Sequence, residues 1–427
     1  MPGGVSARHT ALRDVQVKPR STAELYQVAA RVWLTAAFAS LLLPESERMG
    51  IWLPLHLTLA GAATVAICGA MQTFVLAMTA TKSPSTFKTI LQFTLINTGA
   101  LLIAFGYPSG RSGLVAAGGA AFVIATLILG DIVRVAWKKA LNKRHPLPVA
   151  MYAAAVGCLL VGGTLGAMVG AHEVTGTTWV ALRGAHLTLN VLGWVSLTIA
   201  GTLITLLPTV LRVRMPAWRG RATAWALVGG VVGLALGLAL RSSPLLAAGG
   251  VVYALGACGI AWMAVRVAST PRKWPVPVSA KHLMCALVWF VFGSADLAVQ
   301  AVRGPEALIA LRPVFLTVFV GGWIVQTLLG AWLFLLPMWR AGHPEERRRS
   351  WAAVDYLAGP QVVALNLGLV ILAFRSATAT PGSAAALGAG LALGGGLMAL
   401  IKAWAFRWIA RAPVVTPRTR AMWWADE

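Results

Sequence analysis

The sequence predicts an all-α polytopic membrane protein with about 12 transmembrane helices, and three observations predict it. First, 58% of the 427 residues are hydrophobic, 11% are charged and the mean hydropathy is +0.74, a composition typical of chains that lie mostly in lipid. Second, apolar stretches of about 20 residues, enough to cross a bilayer, recur along the whole chain. Third, the chain repeats itself, and an internal repeat determines the architecture of a fold.

The repeat is clearest between residues 182–208 and 311–337, which align without a gap. Both stretches contain an arginine near the start, a Gly-Trp pair in the middle and a closing Leu-Leu-Pro. A third copy begins upstream, because His56-Leu57-Thr58-Leu59 is identical to His186-Leu187-Thr188-Leu189. Membrane helices rich in Gly and Leu also resemble one another by composition alone. We nevertheless expect three pseudo-equivalent repeats of four helices, at about 22–140, 148–270 and 280–410.

The elements follow from this plan in order. A polar tail over residues 1–21 precedes Ser21-Thr22-Ala23-Glu24, which fits a capping box and opens the first helix. One membrane domain then fills residues 22–410, and a second polar tail covers residues 411–427. The predicted spans are 22–43, 51–81, 87–107, 113–137, 148–170, 178–210, 223–240, 245–267, 281–302, 307–338, 354–374 and 384–409.

The positive charge predicts the orientation. The net charge is +23, and the loops between spans alternate between rich and poor in Lys and Arg, so the positive-inside rule places both termini in the cytoplasm. We therefore expect a multi-pass protein of the inner (plasma) membrane whose partner is the lipid bilayer rather than nucleic acid. The residues assigned to the cytoplasmic side are Arg134, Lys138, Lys139, Lys143, Arg144, Arg212, Arg214, Arg219, Arg221, Arg266, Arg272, Lys273, Lys281, Arg340, Arg347, Arg348 and Arg349.

Three histidines fall on the opposite, outer side. His56 and His186 lie near the outer ends of their helices, and His172 lies on the loop before the second of them. Imidazole is a common ligand of haem iron and copper, so His56, His186 and His172 are candidate metal ligands. Asn190 lies one turn after His186 on the same face, where it can support the imidazole.

Each of these residues also has a purely structural interpretation. A membrane histidine or asparagine can bond to a neighbouring helix, and His172 can be a solvated loop residue. Arg31, in the first predicted helix, can meet a haem propionate or extend to the interface, and the second is favoured. The four cysteines lie inside apolar spans without a CxxC pair, which indicates neither disulfides nor zinc.

This plan resembles subunit I of the haem-copper oxidases, which also has twelve helices in three pseudo-equivalent groups, with both termini inside. The resemblance implies that His56, on the second helix, ligates a low-spin haem and that His186, on the sixth, ligates copper. The resemblance does not extend to the family's other metal ligands, because the tenth predicted helix has Phe315 at the repeat-equivalent place and no histidine. The seventh, over residues 223–240, lacks the family's histidine pair. We therefore expect no oxygen reductase activity.

The chain also resembles smaller members of the superfamily: the haem- and copper-containing membrane proteins of the nitric oxide response (NnrS), and membrane modules associated with copper oxidases and copper nitrite reductases. The run His186, Asn190, Gly193, Trp194 is similar to the signature of these modules. This resemblance implies one haem b or one copper ion, a periplasmic or extracellular redox partner, and a role in copper or nitrogen-oxide metabolism.

Two other classes fit the sequence. Repeats, glycine-rich helices and buried polar residues also suit a small-molecule or ion transporter, although transporters usually place their polar sites near the middle of the membrane. A non-catalytic assembly subunit is the third class.

Overall fold

The structure, a computed structural model, describes residues 19–310, 312–340, 344–378 and 383–411. Every element of secondary structure in these ranges is a helix, so the all-α prediction is confirmed. Most of both predicted tails, with His9 and His343, lies outside the described residues. The helices are α1 Pro19–Ser40, α2 Trp52–Thr79, α3 Thr86–Gly106, α4 Ser112–Lys138, α5 Pro146–Gly170, α6 Gly176–Leu211, α7 Gly220–Ala239, α8 Ser243–Ala268, α9 Val278–Arg303, α10 Pro305–Ala310, α11 Pro313–Trp339, α12 Pro344–Asp355, α13 Ala358–Thr378 and α14 Ser383–Arg411.

In the described part of the chain, 11 helices are long and apolar enough to cross a membrane. They include every predicted span except the first, which confirms a multi-pass membrane protein. Helix α1 forms where the first span is predicted, but Glu24, Gln27 and Arg31 make it more polar than the 11 candidate spans. Below, "basic face" means the end of the bundle with the connections 139–145 and 212–219, and "opposite face" means the other end.

Helix α12 is an element that the sequence did not predict. It follows the tenth predicted span, where we expected a basic connecting segment, and it begins at Pro344 with Glu345 and Glu346 in its first turn. Proline at the first position and acidic residues beside it both favour a helix start. Trp351 holds the helix against α11 by stacking on Phe334 at 5.6 Å. The helix was not predicted because three consecutive arginines in its middle interrupt the short amphipathic pattern.

Arg31 does not extend to the membrane interface. Its side chain is fully buried, so the favoured expectation for this residue is wrong. The guanidinium donates to the Ala403 carbonyl of α14 at 2.6 Å and lies 4.3 Å from the centre of the Trp404 ring. Arg31 therefore joins α1 to α14, the first helix to the last.

Three long helices change their hydrogen-bond pattern partway along. Helices α2, α6 and α11 contain π-helical segments at Leu57–Ala63, Leu189–Val195 and Leu316–Val325. A π turn accommodates an extra residue and leaves a carbonyl poorly paired, and such turns are frequent at functional sites. The hydroxyls of Thr64 and Ser196, each just after a π segment, donate to the carbonyls of Leu59 and Val191, at 2.8 and 2.7 Å.

Two buried tryptophans join these helices to one another. The indole of Trp194 donates to the Thr64 hydroxyl at 3.0 Å, which links α6 to α2. The indole of Trp323 donates to the Ser196 hydroxyl at 2.9 Å, which links α11 to α6. Trp194 and Trp323 therefore act as interhelical donors as well as packing groups.

We expect Trp194→Phe to cost about 0.6 to 1.7 kcal/mol, the range for interhelical hydrogen bonds in membranes. The loss stays small because the Thr64 hydroxyl keeps its bond to Leu59. The measurement is the free energy of unfolding in a bilayer, with Trp225→Phe as control because Trp225 is 74% exposed on α7. Equal effects in the two variants would contradict the role of the indole N–H.

Three helix pairs are packed closely through glycine: α3 with α4, α7 with α8, and α13 with α14. A Cβ atom added at Gly118 would lie 2.9 Å from the Gly99 carbonyl oxygen. At Gly368 it would lie 2.3 Å from the Ala392 nitrogen, and at Gly249 it would lie 2.4 Å from the Leu234 nitrogen. Such close approach of backbones is the usual means of association for membrane helices.

A cavity of about 70 Å³ lies where the three long helices meet. Its walls begin at the last residues of the π segments and are mostly Ala, Ile and Leu, with threonine hydroxyls among them. Cavities with such apolar walls suit small uncharged molecules. The polar residues in the walls are Gln27, Thr198, Thr202 and Thr327.

Candidate functional site

His56 and His186 both lie near the opposite face, on α2 and α6. His56 is the residue immediately before the π segment of α2, and His186 lies three residues before that of α6. Both side chains are half-buried. Their rings are close enough to interact electrostatically, and Arg183, one turn before His186, acts on both. The structure therefore places both predicted imidazoles near the same face, within electrostatic range of each other.

The ring of His186 is fixed through its Nδ1 atom. Nδ1 lies 2.8 Å from the carbonyl oxygen of Gly162 on α5. Because a carbonyl oxygen only accepts, the Nδ1–H is the donor, which assigns the tautomer and leaves a lone pair on Nε2. A backbone carbonyl on the second nitrogen is the usual support of a metal-binding histidine.

Asn190 supports the same turn of α6. Its Nδ2 donates to the His186 carbonyl at 2.8 Å and lies 3.0 Å from His186 Nδ1. The amide thus packs against the ring nitrogen that already donates to Gly162. Asn190 therefore positions His186 and provides no separate ligand in this arrangement.

Two glycines of α5 make room for these side chains. A Cβ atom at Gly166 would lie 2.4 Å from both Cε1 and Nδ1 of His186. A Cβ atom at Gly162 would lie 2.8 Å from Nδ2 of Asn190. Sequence reasoning missed this pair, although Gly162 and Gly166 form a GxxxG pattern that predicts a close helix contact.

His56 is oriented in the same way by its own helix. Its Nδ1 lies 2.8 Å from the carbonyl oxygen of Trp52, so Nδ1–H is again the donor and Nε2 keeps its lone pair. The imidazole also stacks on the Trp52 indole at 4.0 Å between ring centres. Both histidines therefore present Nε2 as the nitrogen that can bind a metal.

His172 does not join the pair. Tyr107 stacks on Trp52 at 4.4 Å, and His172 stacks on Tyr107 at 6.3 Å, so two aromatic rings separate His172 from His56. Within the described ranges, no group of three or more His, Cys, Asp or Glu is placed to hold a metal ion. The structure thus supplies two imidazoles where the sequence suggested three.

Phe315, which the oxidase resemblance singled out, and His282, a histidine near the basic face, both lie in packed surroundings. Phe315 on α11 is buried and packs against Phe319 at 4.6 Å. His282, near the basic face, is fully buried, and its Nε2 lies 2.8 Å from the Gln361 amide nitrogen. Neither residue contributes to the His56–His186 pair.

Gln326 is a buried polar residue that sequence reasoning missed. It directly follows the π segment of α11, as Thr64 and Ser196 follow theirs, and is fully buried. Neither amide atom has a hydrogen-bond partner in the described part of the chain. In α6, Trp194 lies two residues before Ser196. The corresponding residue of α2, two before Thr64, is Ala62, which has no indole N–H to donate.

Comparison with protein-family models gives no match, and comparison with curated proteins gives none either.

Proposed function

We propose that this chain is a membrane metalloprotein that binds a haem iron or a copper ion between His56 and His186. One observation carries the proposal: two half-buried imidazoles from different helices lie near the same face, each with its Nδ1 atom against a backbone carbonyl. That arrangement fixes both rings and directs a lone pair from each Nε2.

The ligand set fits a single metal centre. The imidazoles of His56 and His186 would hold one haem iron or one copper ion, and imidazole suits both metals. They are too few for a haem-copper dinuclear centre, so oxygen reduction is not part of the proposal. When bound, the metal supplies one-electron redox chemistry. The chain contributes orientation through Gly162 and Trp52, and positive charge from Arg183, which favours the reduced metal.

Three pseudo-equivalent repeats are part of the same proposal. Each repeat has a second helix with a π segment, and a third and fourth helix joined by close glycine packing. These correspondences support the sequence repeat, and with it the relation to haem-copper oxidase subunit I and its smaller NnrS-like relatives. That relation points to copper or nitrogen-oxide metabolism.

The positive-inside rule makes the basic face cytoplasmic, with both termini on that side of an inner membrane. The His56–His186 pair then opens toward the outside. A periplasmic or extracellular redox protein is the partner that this orientation implies.

The test is a visible spectrum and metal analysis of the purified protein. We expect a Soret band if iron is bound as haem, or about one copper per chain if copper is bound. His56→Ala and His186→Ala should each abolish the signal, whereas His145→Ala, on the basic face, should retain it. A colourless, metal-free wild-type protein after haem or copper supplementation would overturn the proposal.

A transporter is the second candidate, and the central cavity favours it. The cavity lies between the three long helices, and Thr327 in its wall has a hydroxyl without a hydrogen-bond partner in the described residues. Beside it, Gln326 has an unpaired amide. Uptake of a small uncharged solute by proteoliposomes, lost in Thr327→Leu, would support this class instead.

A further inference from the structure

A second cavity lies near the basic face, between the start of α7 and the end of α8. Its volume is about 520 Å³, and its walls include Trp218 and Arg219 on one side and Cys258, Trp262 and Arg266 on the other. It is distant in the fold from the histidine pair, which lies near the opposite face. Nothing in the proposed metal chemistry uses it.

The charge of this cavity has one sign. Among the described residues, Arg219 and Arg266 line it and no acidic residue does. Among the residues that the structure describes, neither guanidinium has an ion-pair partner. Two arginines that face the same space present a site for an anion with several oxygens, because the planar guanidinium matches phosphate geometry.

The rest of the cavity is apolar and continues onto the lipid-facing surface. Trp262 is 57% exposed, and Cys258 beside it is exposed too. Trp218 forms a fixed wall, because its indole donates to the Gly259 carbonyl of α8 at 3.1 Å. Tryptophan near the end of a membrane helix marks the level of the lipid headgroups.

We propose that this cavity binds one anionic phospholipid. Its phosphate lies between Arg219 and Arg266, and an acyl chain follows the groove past Trp262 and Cys258. Basic pockets between membrane helices bind anionic headgroups in this way. The exposed apolar wall favours a lipid over free phosphate, because an acyl chain can pack against Trp262 and free phosphate cannot.

Native mass spectrometry of the full chain tests the proposal, with phosphatidylglycerol and phosphatidylcholine supplied in equal amounts. Each arginine near an anionic headgroup is worth about 1 kcal/mol, so Arg219→Gln with Arg266→Gln should lower the preference for phosphatidylglycerol about 30-fold. The matched control is Arg214→Gln with Arg221→Gln, which removes the same charge from exposed neighbours outside the cavity. The control should keep most of the preference.

Two outcomes would overturn the site. An equal loss of the preference for phosphatidylglycerol in both double variants would show that general surface charge attracts the lipid. Displacement of the lipid by millimolar inorganic phosphate would show a phosphate site without a lipid groove. Trp262→Ala should weaken retention of both lipids alike, because it removes contact with the acyl chain and leaves the charge unchanged.

Discussion

Gly166→Ala is expected to lower the affinity for the metal by about 10- to 100-fold, the effect of losing the support of a ligand. The added Cβ would lie 2.4 Å from Nδ1 and Cε1 of His186, a distance at which the ring has to move. Nδ1 is also the atom that donates to the Gly162 carbonyl, so the movement breaks the bond that fixes the ring. Metal content of the purified variant is the measurement.

The matched control lies three residues earlier on α5. Gly163 has nothing within 4 Å of an added Cβ, so Gly163→Ala should retain the metal and gain about 0.5 to 1 kcal/mol from the better helix former. If Gly166→Ala binds metal as tightly as Gly163→Ala, His186 is not held against α5 as described.

The largest expected effect on stability belongs to Gly249→Ala in α8. Its Cβ would meet the backbone of α7, at 2.4 Å from the Leu234 nitrogen and 2.7 Å from the Gly233 carbonyl carbon. Backbone atoms in a helix cannot move aside by changing rotamer, so the two helices must separate. We expect a loss of about 3 kcal/mol or more, at or beyond the usual limit for overpacking.

The free energy of unfolding in a bilayer measures this loss. Gly229→Ala in α7 is the control, because an added Cβ there meets nothing within 4 Å. It should be neutral or slightly stabilising. A loss below about 1 kcal/mol for Gly249→Ala would mean that α7 and α8 are not packed backbone to backbone.

Composition and periodicity predicted the class of this protein because a helix that crosses a bilayer must be long and apolar, and both properties are visible in the sequence. Eleven of the twelve predicted spans meet both criteria. The first is the exception, since α1 carries Arg31 and Gln27 in buried contacts with other helices. Its polar residues serve tertiary contacts that no pattern along one helix reveals.

The repeated His-Leu-Thr-Leu run also carried structural information. Both histidines lie shortly before a π segment, His56 by one residue and His186 by three. The π turns themselves were not predicted, because one extra residue barely disturbs an apolar pattern. The contact of His186 with Gly162 was missed because it joins residues on different helices.

The number of histidines that meet at one site is harder to predict from sequence. His172 looked like a third ligand by its place on the outer loop. A stack of Tyr107 and Trp52 separates it from His56, and only the packing of three segments shows this. Likewise, the sequence does not show that the Gln326 amide is buried without a hydrogen-bond partner among the described residues.

X-ray absorption at the metal edge tests the central claim most directly, since it counts the imidazoles bound to iron or copper in the purified protein. We predict a contribution from two imidazoles in the wild type, reduced to one or lost in His56→Ala and in His186→Ala, and unchanged in His172→Ala. A metal without imidazole ligands, or one whose spectrum is unchanged in both His56→Ala and His186→Ala, would contradict the account.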